Sequence, residues 1–302
     1  MADIITDIKN AYKRGNAFIQ LIFINVGVFF VTALVGVALM LFNRSASGFW
    51  ELFQLPASFG RFIYQPWSIF TYMFMHADLL HILFNMLWLY WFGSLFLYFF
   101  SAKHLRGVYL LGGICGGLLY MISYNLFPYF APMVDHSLMV GASASILAIV
   151  TAVAYREPNY PVRLLLFGTM KLKYLALFVV LTDLLFLTSS NAGGHIAHLG
   201  GALAGLFFAA MLQKGTDLTL WINKALDGLS PLLNKKNWKM KSKKSKPTMN
   251  VHYNRNPKDF DYNAQKKKQS EEIDRILDKI KKSGYENLTT EEKKSLFDAS
   301  KK

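Results

Sequence analysis

Residues 79–100 read LLHILFNMLWLYWFGSLFLYFF, a run without one charged side chain. A helix rises about 1.5 Å per residue, so this stretch is long enough for the roughly 30 Å hydrocarbon layer of a bilayer. Two polar side chains interrupt its first half, His81 and Asn85. They are four apart and therefore share one helix face. An unpaired polar group in an apolar medium costs about 2–7 kcal/mol. Polar residues kept inside a span therefore turn toward protein or water, and they mark a functional site by default.

Outward from this run, five more apolar segments appear, at roughly 17–42, 106–125, 141–155, 173–188 and 194–213. The fourth and fifth spans are short. The chain reads as an all-α polytopic membrane protein with six spans. Composition agrees: 53% of its 302 residues are hydrophobic and only 17% are charged, against about 25% in soluble domains. Charge is segregated, with 22 of the 33 Lys and Arg lying after residue 213. The expected organisation is an N-terminal segment 1–16, a six-span domain 17–213, a basic juxtamembrane segment and linker 214–269, and a C-terminal helical hairpin 270–302. The first apolar run exceeds the roughly 7–15 residues of a signal-peptide core, so it reads as a retained span. The lone cysteine, Cys115, excludes an intrachain disulfide.

Lys103 and Arg106 lie between the second and third spans, and Arg156, Arg163, Lys171 and Lys173 between the fourth and fifth. The third-to-fourth and fifth-to-sixth connections carry neither Lys nor Arg. The positive-inside bias then puts both termini in the cytoplasm. The 43–78 segment falls outside. Its many aromatics (Trp50, Phe53, Phe59, Phe62, Tyr64, Trp67) suit a loop half-submerged at the interface.

In this topology the second, fourth and sixth spans all enter from the outer side. His81, Ser143 and His198 each sit about one turn or less from that entrance, within roughly 10 Å of the boundary. Asn85 is one turn deeper. A hydroxyl, two imidazoles and a carboxamide at one depth are parts for acyl transfer. Ser143 can act as nucleophile and His198 as base, then as acid. Asn85, His81 and the Ser143 N–H are candidate oxyanion donors. Among the spans carrying these groups the only carboxylate near the outer side is Asp78, at the rim. A Ser–His dyad is therefore expected, with packing and local hydrogen bonds orienting His198. Small residues permit close helix approach: Gly141 and Ala144 beside the serine, Gly201 and Gly205 on the His198 face.

These residues resemble one family. FTYMFMHADLLHILFNML (70–87), GAS (141–143) and AHLGGALAG (197–205) are similar, in order and spacing, to the motifs of rhomboid intramembrane serine proteases. The resemblance spans about 17–213. It implies a six-helix rhomboid bundle, a Ser143–His198 dyad, oxyanion stabilisation by His81 and Asn85, a lateral gate at the fifth span, and a cap over the site at 189–194. It also implies single-span membrane proteins as substrates and a bacterial cytoplasmic membrane as the setting. Two positions depart from the pattern. Ala144 stands where Gly commonly follows the nucleophile, and Leu147 where some members place a Tyr against the catalytic His. The alternative is an inactive rhomboid-like protein that binds transmembrane helices. A transporter fits poorly, because transporter sites lie near the bilayer centre.

No cofactor is expected. His195 and His198, with His76 and His81, offer imidazoles for a metal, but no carboxylate or thiolate companion is evident, so no metal site is expected. His76 and His195 read instead as hydrogen-bonding groups at the rim. Gly112, Gly113, Gly116 and Gly117 read as packing positions within the bundle. The run KKNWKMKSKKSK (235–246) suits anionic lipid, and its tether to a membrane argues against nucleic acid. In the tail, Ser270 and Gly284 bound one helical pattern (Ile273, Ile276, Leu277, Ile280). Thr289 and Glu292 form a capping box for a second bearing Leu296 and Phe297. The oligomeric state is not readable.

Overall fold

The computed structural model describes residues 12, 15–164, 168–233, 275–276, 278–281 and 288–294. The chain divides into two compact units, Met1–Trp238 and Lys239–Lys302.

The first unit is a helical bundle. Its long helices are α1 (Ala17–Leu41), α2 (Leu79–Phe99), α3 (Ala102–Leu126), α4 (Ser143–Arg156), α5 (Leu172–Leu185), α6 (Ala192–Gln213) and α7 (Leu220–Leu233). Four of them, α1, α2, α3 and α6, are long and apolar enough to cross a membrane, which makes this a multi-pass membrane protein. The other two expected spans are α4 and α5, at 14 residues each. They fall short of the about 17–25 residues a span needs. Helix α3 starts earlier than the apolar run suggests because Ser101 caps it, its hydroxyl accepting from the His104 N–H. Helix α7 occupies part of the segment expected to be linker.

Two small antiparallel ladders break the helical pattern. β1 (Leu55–Pro56) pairs with β2 (Leu138–Met139), and β3 (Pro161–Leu164) with β4 (Gly168–Lys171). The first ladder ties the 43–78 segment to the chain entering α4. Short helices at Ser47–Glu51, Phe59–Tyr64 and Ser68–Thr71 fill the rest of that segment. Buried phenols pin it to the bundle. Tyr72 donates to the Gly113 carbonyl at 2.6 Å, and Tyr109 donates to the Met73 carbonyl at 2.9 Å.

At the centre α6 is pressed between α3 and α4. A methyl group placed on Gly200 would lie 2.8 Å from the Cys115 carbonyl oxygen of α3. One on Gly201 would strike the Ala144 carbonyl of α4, and one on Gly205 the Ala148 carbonyl. Gly112 and Gly116 of α3 face Ala148 and Ala144, while Gly113 and Gly117 face Met73 and Ile69. These four glycines of α3 are thus contacts within the chain. Helices this close exchange backbone van der Waals contact, the main attraction available where lipid is as apolar as the side chains.

In the second unit, Thr289 and Glu292 form the reciprocal capping box. Glu292 Oε2 accepts from the Thr289 N–H at 2.8 Å, and Thr289 Oγ1 from the Glu292 N–H at 3.3 Å. Lys279 pairs with Glu292 at 2.9 Å. The expected positions Ser270, Ile273, Leu277, Gly284, Leu296 and Phe297, and the basic run 235–246, lie outside the described residues.

Candidate functional site

The site forms where α2, α4 and α6 meet the 137–142 strand. The β1–β2 ladder and a hydrogen bond from the Gly141 N–H to the Tyr72 carbonyl (3.0 Å) fix that strand's path. Gly141 then turns with φ +130°, a conformation L side chains rarely adopt. The turn delivers Ser143 as the first residue of α4, so its N–H is among the donors left open at a helix start.

His81 faces this turn. A methyl group on Gly141 would lie 2.9 Å from His81 Nε2 and 3.6 Å from Ser143 Oγ, so imidazole and hydroxyl flank one glycine. Asp78 caps α2, accepting from the His81 N–H at 2.8 Å. His81 Nδ1 accepts a long hydrogen bond from the Ala77 N–H, 3.4 Å. A neutral imidazole that accepts at Nδ1 carries its proton at Nε2, so His81 presents a donor to the turn. One turn deeper, Asn85 is 7% exposed, and its Nδ2 has no partner among the described residues. A buried unpaired donor is costly. It lies on the helix face that also carries His81, one turn away.

His198 comes from α6. Gly201, three residues on, lies against the Ala144 backbone, which brings the helices bearing His198 and Ser143 into contact. Ala144, the departure from the expected glycine, is 2% exposed, and Gly116 of α3 makes the space for its methyl. Leu147 is buried in the core. Among the described residues the hydrogen bond of His198 goes to Asp183, and none joins it to Ser143. Such contacts are often loose before substrate binds.

Asp183 corrects the sequence reading. It lies on α5, 3% exposed, and its Oδ1 stands 2.8 Å from His195 Nδ1 and 2.9 Å from His198 Nδ1. A carboxylate, not packing alone, therefore orients His198. His195 also stacks on Phe186, ring centroids 5.8 Å apart. The carboxylate comes from α5, not from α2, α4 or α6, the helices that carry the other site residues. The signal was present, because Asp183 is an ionisable residue in the apolar run LFVVLTDLLFL (177–187). The three donor atoms of Asp183, His195 and His198 lie within 4.8 Å of one another, so the carboxylate companion thought missing for a metal exists.

His76 is corrected as well. It is buried rather than at the rim, has no hydrogen-bond partner among the described residues, and packs edge-on against His81 with centroids 5.1 Å apart. Burial, reinforced by His81, pushes its pKa down to about 4. A cavity of about 550 Å³ opens beside the turn, lined by His81, Tyr120, Val140, Asn191 and Gly194 among others. Ser190, Asn191, Gly193 and Gly194 thus line the same cavity as His81.

The rhomboid domain family matches residues 64–215, and a domain family of unknown function matches residues 258–302. RHOMBOID-like protein 12, mitochondrial, from Arabidopsis thaliana is 28% identical over 157 residues, 49% of this chain and 47% of that protein. The chain therefore spans about half the length of this curated relative. With the matched segment holding Ser143, His198, His81 and Asn85 and covering half of the sequence, the chain belongs to the rhomboid family, an intramembrane-protease type of membrane protein.

Proposed function

We propose that the chain is an intramembrane serine endopeptidase that hydrolyses peptide bonds in or near transmembrane segments. The observation that carries this reading is the Gly141 turn, which sets His81 Nε2 and the Ser143 hydroxyl around one glycine. In the proposed reaction Ser143 Oγ attacks the scissile carbonyl carbon while His198 Nε2 takes the hydroxyl proton. Charge developing on the carbonyl oxygen is met by His81 Nε2–H, Asn85 Nδ2–H and the Ser143 N–H. His198 then returns the proton to the leaving amine, and water repeats the sequence on the acyl-enzyme. A substrate helix must open locally, since its carbonyls are otherwise hydrogen-bonded. Gly, Ala, Ser or Pro near the cut favours that opening.

The substrates are single-span membrane proteins cut near the outer face of a bacterial cytoplasmic membrane, with both termini of the enzyme in the cytoplasm. The basic run 235–246 sits on anionic lipid at that side. Incubating a model single-span substrate with purified wild type and with Ser143→Ala tests the reading. Product from wild type alone supports it. Product from both refutes the assignment of Ser143. Substrate retained but uncut by wild type favours a helix-binding rhomboid-like protein instead.

A further inference from the structure

The two histidines of the candidate site have opposite jobs in the proposed reaction and need opposite tautomers. His81 must donate at Nε2. His198 must accept there. For His81 the Ala77 N–H occupies Nδ1 at 3.4 Å and so leaves the proton on Nε2. For His198 the partner at Nδ1 is Asp183 Oδ1 at 2.9 Å. Where the Asp183 oxygen accepts, the hydrogen between them belongs to His198 Nδ1. Its Nε2 then carries a lone pair.

From this geometry we infer that Asp183 is a positioning residue that holds His198 in the tautomer able to accept the Ser143 proton, extending the dyad to a Ser143–His198–Asp183 relay. The inference rests on the protease reading above. Asp183 also stabilises the imidazolium that forms when the proton arrives, without taking the proton itself. Its placement suits this role. The side chain is 3% exposed, so little water competes for the carboxylate or screens it. Oδ1 stands within hydrogen-bond distance of two imidazole nitrogens while Oδ2 has no partner among the described residues. His195, bound to the same oxygen at 2.8 Å and stacked on Phe186, anchors the carboxylate from the other side. The same logic gives His195 the Nδ1–H tautomer too. The six residues 186–191 between α5 and α6 bring a carboxylate fifteen positions upstream back to the imidazole.

The test uses the full chain in detergent and two independent readouts. In Ser143→Ala protein with isotope-labelled histidine, nitrogen chemical shifts report tautomers without any need for activity. His198 is expected protonated at Nδ1 and His81 at Nε2. His198 found protonated at Nε2 overturns the inference whether or not the wild type is a protease. In the otherwise wild-type protein, Asp183→Asn offers His198 an amide N–H in place of the carboxylate and favours the wrong tautomer. kcat is expected to fall about 10²–10⁴-fold with KM little changed, the scale on which acid–base machinery operates. His195→Phe, which leaves the Asp183–His198 bond in place, should lower kcat less. Equal kcat for Asp183→Asn and wild type, or a change confined to KM, overturns the inference while leaving the protease reading intact. A wild type that cuts nothing removes the protease reading instead, and the tautomer spectra remain decisive for the geometry.

Discussion

Gly201→Ala places one methyl group at the contact between α6 and α4, and the structure sets the size of the disturbance. The added Cβ would lie 2.7 Å from the Ala144 carbonyl carbon and 3.0 Å from its Cα, where ordinary contact begins at 3.4 Å. The carbonyl oxygen is nearer still. All three are backbone atoms of a packed helix, so no rotamer change relieves the clash. The helices must separate by 3.4 − 2.7, or 0.7 Å, for the carbon alone, and by about 1 Å once the oxygen is cleared. Overpacking of this kind costs about 1–3 kcal/mol. The displacement falls between Ser143, the residue before Ala144, and His198, one turn before Gly201. A misplacement near 1 Å can cost about 10²-fold in rate. The assay is cleavage of a single-span substrate, with rates normalised to folded protein from thermal unfolding in the same detergent. The expectation is a lower melting temperature and about a 10²-fold lower kcat. A variant as stable and as fast as wild type would refute the argument that this backbone contact sets the spacing of nucleophile and base.

Asn85→Ala should reduce kcat about 10²–10³-fold, the usual loss for one oxyanion donor. It should cost little stability, because the amide it removes is unpaired, and unfolding curves beside kinetics check both. Gly141→Ala meets two obstacles, φ +130° and His81 Nε2 at 2.9 Å. Loss of cleavage with the helical circular dichroism retained is the expected result. The pKa of His76, near 4 in the folded chain against about 6.5 when unfolded, makes stability pH-dependent. The unfolded chain binds the proton first, so the stability owed to a neutral His76 is complete above pH 6.5 and is lost as pH falls toward 4. His76→Phe should flatten that part of the profile, as seen in melting temperatures from pH 7 to 4. Thr289→Ala removes half of the capping box and should cost the second unit about 0.5–2 kcal/mol, read as lost helical signal on heating.

Much of the site was legible because membrane sequence is unforgiving. His81, Asn85, Ser143 and His198 stand out where apolar residues are the rule, and the expected topology puts them at one depth. The small residues at 141, 144, 201 and 205 told which faces approach. Asp183 obeys the same rule, but it lies on α5, which carries none of those four residues, fifteen positions from the imidazole it touches. The tautomers of His81 and His198 cannot be read from spacing at all, since they depend on the Ala77 N–H and on which carboxylate oxygen is near. His76, a loop histidine beside a span, reads as interfacial in the sequence, whereas in the structure it is buried against His81. The span count rests on hydropathy, and α4 and α5 are too short to settle it by length. Thr289 and Glu292, by contrast, needed only their three-residue spacing.

The central claim is that Ser143 is a nucleophile activated by His198. Purified wild type, Ser143→Ala and His198→Ala should each be treated with a fluorophosphonate probe, digested and analysed by mass spectrometry. The account predicts a covalent adduct on Ser143 in wild type and none on that peptide in either variant. An adduct formed as readily in His198→Ala, or no adduct on Ser143 in folded wild type, would contradict it.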